Sequence, residues 1–257
     1  MMTSIMLSKL NKFWRGLLIA LFWLGIWQII YLVVNKGIIL PSPFTTFKAF
    51  FLLLREKVFW LAAGASLLRI VAGFGAALLC GSLLAVATNK IVFLKALFNP
   101  LLTLIKATPV ASFIILAIIW MPNNKIPVLI SFLLVLPIIW ANLVKGLENI
   151  NQDLLSMASL YQMPLPGKIR YIFVPSLMPY FMAGAVTSIG LAWKAGIAAE
   201  VLCRANPSIG GQLYDSKIYL ETENLFAWTV LIIILSVLLE WLFVSAMRRL
   251  GKIMSWR

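Results

Sequence analysis

The stretch DLLSMASLYQMPLPGKIRYIFVPSLMP, Asp153 to Pro179, lies between two long apolar runs and is itself polar, basic and rich in helix punctuation. Asn151 stands where a helix N-cap belongs, and Leu154 to Tyr161 follow as a short helix. The turn Pro164-Leu165-Pro166-Gly167 breaks that helix, because proline lacks the backbone donor and clashes with the preceding turn. A second helix then runs from Lys168 into the next apolar run, with Pro175 and Pro179 near its entry. A short helix lying across a membrane face and ended by a tight turn can dock into a groove of another protein.

The flanking runs set the class. The chain is 62% hydrophobic and 12% charged, with mean hydropathy +0.99. That charged share is about half of what soluble domains carry. The composition predicts an all-α polytopic membrane protein of about six transmembrane helices, one transmembrane domain over residues 1–257. The net charge of +14 does not form one face; it falls mainly in short segments between apolar runs, which argues for lipid surroundings and against nucleic acid. Cys80 and Cys203 are far apart in sequence and read as packing residues, and the chain has no histidine. Zinc-protease motifs, histidine-based triads and the commonest metal ligand are thereby excluded. No metal site, cofactor or catalytic residue is expected.

Lys9, Lys12 and Arg15 precede the apolar run Gly16 to Val34, which is too long for a signal-peptide core and reads as a retained span. Ser42-Pro43 opens a helix to about Lys57, with Phe47, Phe50, Phe51 and Leu54 near one side, suited to a membrane interface. A second span, about Leu67 to Thr88, carries Gly73, Ala77, Gly81 and Ala85 at intervals of four, a face for close helix approach. Arg69 near its end can snorkel to the interface.

The third span, about Leu97 to Trp120, holds Pro100, Lys106 and Pro109. Lys106 comes eleven residues after Lys95, or roughly 16 Å along a helix axis, near mid-membrane. A cation there costs several kcal/mol unless paired or hydrated. Pro109 frees the carbonyl of Ile105. A broken helix beside a buried cation suits a transport pathway, and pairing of Lys106 with carbonyls is the structural alternative. The fourth span, about Ile126 to Val144, contains Pro137. The fifth, from near Ser176, repeats small residues at Gly184, Ser188, Ala192 and Gly196, with Glu200 continuing the row and Lys194 off it. Pro207 to Gly211 reads as a flexible segment, with a solvated loop holding Glu200, Arg204 and Asp215 as the other reading. The last span runs from about Leu225 to Met247 and includes Glu240. With both termini in the cytoplasm, inner segments hold twelve Lys and Arg and outer segments seven, as the positive-inside rule expects.

Counting back from Pro175, the first stretch resembles the EAA loop of ABC-transporter permeases that work with binding proteins. The glutamate of that loop falls on Ser156, its two alanines on Met157 and Ala158, and its glycine on Gln162. GLAWKAGIAAEVL (Gly190 to Leu202), SIGGQL (Ser208 to Leu213), LPSP (Leu40 to Pro43) and SLLRIVAGF (Ser66 to Phe74) resemble the nitrate/sulfonate/taurine branch. The resemblance implies a type I ABC importer permease in the inner membrane of a bacterial cell. Its partners would be cytoplasmic ABC ATPase subunits, an extracytoplasmic substrate-binding protein and a second copy of the chain.

The resemblance also implies roles. Residues 151–171 would couple to the ATPase through Ser156, Met157, Ala158, Leu160, Tyr161, Gln162, Met163 and Gly167. Ile197 to Leu213 would line the translocation path, so Glu200, Ser208 and Gly210 join Lys106, Pro109 and Lys194 as pathway candidates. Neither Gly167-Lys168 nor Gly251-Lys252 sits in a Walker A pattern, so ATP belongs to a separate chain. The solute is expected to be small, of the nitrate, sulfonate or taurine kind; a thiamine-precursor-like heterocycle is the alternative. An ion-coupled secondary transporter would have Glu200 and Glu240 as its intramembrane acids.

Overall fold

In the computed structural model, residues 2–255 are described, with side chains from Trp14 to Arg249. The described residues form helices and no strand: α1 Met2–Val34, α2 Pro43–Leu53, α3 Lys57–Lys90, α4 Val92–Ala107, α5 Val110–Trp120, α6 Ile126–Glu148, α7 Gln152–Leu160, α8 Leu165–Lys168, α9 Val174–Cys203, α10 Ile209–Ile218 and α11 Thr222–Ser255. Five helical stretches are long and apolar enough to cross a membrane: Trp14–Val34, Lys57–Lys90, Asn123–Glu148, Leu165–Cys203 and Thr222–Arg249. The α4–α5 pair makes a sixth if taken as one span, although its halves bend by 105°.

The stretch read as the third span, about Leu97 to Trp120, is broken at Pro109, where a broken helix was expected. Thr108 and Pro109 leave the helix with ψ of 131° and 135°. Proline disfavours the α region for the residue before it and cannot donate to Ile105, so the break has a local cause.

The chain divides into two compact units, one taking the chain up to Phe59 with Gln212–Leu231, the other Trp60–Gly211 and the chain from Ile232 on. In the first unit, Ser42 Oγ accepts from the Thr45 N–H at 3.1 Å and caps α2, with Pro43 in its first turn. The helix ends at Leu53, short of Lys57, which instead opens α3. It buries Pro43, Thr46, Ala49 and Leu53 and leaves Phe44, Phe47 and Phe51 exposed. Trp27 Nε1 donates to the Pro41 carbonyl at 3.1 Å, and Phe59 stacks on Trp228 with centroids 5.3 Å apart.

In the second unit, α6 is the central helix, packed along α9. Small residues decide how closely it is approached. A Cβ on Gly196 would lie 2.5 Å from Ile70 Cγ1, so only glycine fits there. Gly73 meets the Val128 carbonyl and Ser131 of α6, and Gly81 meets Ile139. Ala77, Ala85, Ser188 and Ala192 are buried, and Gly184 faces Asn142. Both stripes of small residues thus turn into the protein, where close packing replaces the hydrophobic driving force that lipid does not supply. Two polar contacts reinforce the packing: Trp140 Nε1 donates to Thr88 Oγ1 at 2.9 Å, and Ser131 Oγ donates to the Ala192 carbonyl at 3.3 Å.

Candidate functional site

Two regions of the second unit carry the polar chemistry. The first is the corner where α9 gives way to α10. Glu200 is 0% exposed in the last turn of α9. Its Oε2 accepts from Ser66 Oγ at 2.6 Å and from the Gly210 N–H at 3.2 Å. Its Oε1 faces Arg69 Nη1 at 3.4 Å, and the same nitrogen donates to the Pro207 carbonyl at 2.7 Å. Ser66 Oγ in turn accepts from the Ile209 N–H at 2.9 Å. One carboxylate therefore ties α3 to both sides of the corner.

The backbone leaves α9 through Arg204, at φ 52°. Ser208 then starts α10: its Oγ accepts from the Gly211 N–H at 2.8 Å. Pro207 to Gly211, expected to be flexible, is instead a capped helix start. Gly210 leaves no room for a side chain, since a Cβ there would lie 2.6 Å from the Val201 nitrogen and 2.8 Å from the Glu200 carbonyl carbon. Arg69, expected to snorkel, is turned inward with its side chain 13% exposed.

Serine and arginine three residues apart on α3 share a face. Their part in this corner is not evident from α3 alone. The available signal was Glu200 itself, since an acid in apolar surroundings needs a partner; Arg69, a base in a span, lies 131 positions away.

The corner gathers Glu200, Ser208 and Gly210, all buried. Lys106, Pro109 and Lys194 are exposed and lie outside this network. Neither lysine has a hydrogen-bond or ion-pair partner among the described residues.

The second region is α7 and the turn after it. Asn151 Oδ1 accepts from the Asp153 N–H at 2.8 Å, which starts the helix as its N-cap. The helix ends at Tyr161–Met163, ahead of the prolines. Gln162 takes φ 49°, and the Met163 N–H donates to the Ala158 carbonyl at 2.9 Å. That is a Schellman-type stop, which favours glycine at the left-handed position. Gln162 stands where the EAA loop has its glycine, so the aligned position has the geometry that glycine serves. Pro164-Leu165-Pro166-Gly167, expected to be the breaking turn, instead begins the next helix, with proline in its first turn.

One side of α7 is anchored: Ala158 is 3% exposed and clusters with Ile150 and Ile172, with Leu155 and Met163 packed against them. The rest of the helix is open, with Gln152, Asp153 and Ser159 exposed beside several large apolar side chains. Leu160 is 79% exposed and Tyr161 76%, with Leu154, Met157 and Leu165 exposed as well. Ser156 and Gln162 are also exposed, whereas Gly167 lies against Met163. Of the coupling candidates, Ala158 and Met163 hold the helix in place, and Met157, Leu160 and Tyr161 are presented outward. Near the start of this region, Lys95 Nζ pairs with Glu148 Oε1 at 2.7 Å.

The chain is similar in sequence to known transport permeases. The permease protein SsuC of Bacillus subtilis (strain 168), whose name assigns it to aliphatic sulfonates, is 24% identical over 252 residues, covering 95% of this chain and 87% of SsuC. The nitrate import permease protein NrtB of Synechococcus elongatus is 26% identical over 219 residues, covering 81% of this chain and 78% of NrtB. The taurine transport system permease protein TauC of Escherichia coli (strain K12) is 21% identical over 220 residues, covering 83% and 80%. Residues 77–252, which include α7 and the α9–α10 side of the corner but not Ser66 and Arg69 of α3, match a family model, and the chain belongs to that family: the binding-protein-dependent transport system inner membrane components.

Proposed function

We propose that this ABC permease is the membrane-spanning half of an ATP-driven importer, working as a homodimer on two separate ATPase subunits and supplied by an extracytoplasmic binding protein. Both termini lie in the cytoplasm of a bacterial cell, and α7 projects there. The observation that carries this reading is the set of exposed apolar side chains at α7, Leu154, Met157, Leu160 and Tyr161, on a helix anchored from behind by Ala158, Ile150 and Ile172. A helix fixed on one side, with apolar anchors free on the rest of its surface, transmits movement from a partner that grips it. The solute is small and of the anionic class named for the relatives, nitrate and sulfonates among them. Alternating access would carry it past the bent α4–α5 pair.

An ion-coupled carrier is disfavoured by the α9–α10 corner. Of the two intramembrane acids such a carrier would use, Glu200 has both oxygens already engaged, which leaves only Glu240, exposed on α11.

Cysteine at position 160 tests the coupling reading: it should crosslink to the ATPase subunit in membranes, and absence of a crosslink together with normal ATPase binding by an α7 variant would overturn it. The path reading is tested at Lys106, which is exposed at the end of α4. Lys106→Met should reduce transport at least tenfold with assembly intact. Normal transport by that variant removes Lys106 from the path.

A further inference from the structure

Three of the eight acidic residues of this strongly basic chain line one cavity of about 600 Å³. It lies wholly within the unit built from α2, the end of α10 and the start of α11. Glu56, Glu221 and Glu223 face it together with Lys48, Gln212 and Ser216. Three carboxylates against one ammonium leave a net charge of −2.

Helix chemistry accounts for part of this. Glu223 sits in the first turn of α11, where an acid complements the helix dipole, and Glu221 Oε2 accepts from Asn224 Nδ2 at 2.8 Å. It does not account for Glu56, which comes from the segment after α2. Nor does it account for Ser216. That side chain is 6% exposed, lines the cavity and has no hydrogen-bond partner among the described residues. A helical serine ordinarily returns its hydroxyl to the carbonyl four residues back. Ser216 keeps its hydroxyl for the cavity.

The size and spread of the charges decide the ligand class. Among the described residues, no three acidic, cysteine or histidine side chains stand close enough to hold a metal ion. The volume falls in the range of small-molecule sites, roughly 300–1,000 Å³. We propose that this cavity binds a small soluble organic diammonium compound, one ammonium group on Glu56 and the other on Glu221 or Glu223, with Ser216 accepting a further N–H. The site does not rest on the importer reading, whose solute has the opposite charge.

Calorimetric titration of the full-length protein in dodecyl maltoside with 1,4-diaminobutane tests it. Saturable binding is expected, weakened at least tenfold by Glu56→Gln and by the combined change Glu221→Gln with Glu223→Gln, and about threefold by Ser216→Ala. Neutral 1,4-butanediol should give no binding, and Asp153→Asn, an exposed carboxylate elsewhere, should change nothing. The ammonium headgroup of phosphatidylethanolamine offers the same chemistry. If that lipid, added to the micelles, displaces the diamine at lower concentration, the site belongs to lipid and the soluble ligand is wrong. Absence of saturable binding, or equal binding by wild type and both glutamate variants, also overturns the proposal.

Discussion

Glu200 and Tyr161 belong to the same compact unit and break opposite rules of burial. Glu200 is an acid with no exposed surface, and both oxygens of its carboxyl group are bonded, to Ser66, Arg69 or Gly210. Tyr161 and Leu160 are apolar side chains held out at the end of a capped helix, more than three-quarters exposed. The first arrangement is closed: its energy comes from contacts already made within the chain, and it ties residues 209–210 to α3. The second is open: α7 spends one face on Ala158, Ile150 and Ile172 and keeps the other for a partner. Loss of a group from the corner should therefore appear as loss of stability. Loss of a group from α7 should appear as loss of binding, with stability unchanged.

The largest effect is expected at the corner. Arg69→Ala leaves Glu200 buried without its countercharge, and breaking a buried pair in this way costs about 3–5 kcal/mol. Thermal unfolding of the purified protein should show it. Combining Arg69→Ala with Glu200→Gln should recover part of the loss, because the unpaired charge is then gone. If the double variant is as unstable as the sum of the singles, the pair is not the linkage described here.

On the open side, replacing Leu160 and Tyr161 together by alanine should weaken ATPase association more than tenfold, a factor that takes only about 1.4 kcal/mol. Unfolding should be unaffected. An equal loss of thermal stability would show that these side chains pack within the chain and would erase the contrast.

Ser66→Ala returns to the corner with a smaller change. It removes one donor from Glu200 and one acceptor from the Ile209 N–H, with an expected cost of about 1–3 kcal/mol. Ser66→Thr keeps the hydroxyl and should lose less, if the buried site admits the added methyl.

The smallest effect is at the α7 stop. Gln162→Gly relieves a left-handed residue and should stabilise by about 1 kcal/mol, read as a small rise in Tm. It should leave ATPase association unchanged. Ser156→Ala, at an exposed hydroxyl, should change neither quantity measurably.

Much of this molecule was legible in the amino-acid sequence. Apolar runs long enough to cross a bilayer leave no alternative to helices, because the backbone must satisfy itself there. Small residues every four positions marked the faces of α3 and α9 that pack on neighbours, and Asn151 and Ser42 marked helix starts. These are local or periodic properties, carried by residues close together in the chain. Stops were harder: prolines near position 164 drew the break of α7 toward themselves, while the turn was made by Gln162, whose left-handed φ has no signature in its own identity. The 105° bend of α4–α5 was hidden for a related reason, since Pro109 announces a break but not its angle. Only the tertiary structure decided the partners of Glu200. Ser66 lies 134 positions away, and a carboxylate in apolar surroundings states that it needs a donor without saying which one. The same holds for the cavity at Glu56, where residues from α2, α10 and α11 meet in space although nothing in their local patterns relates them.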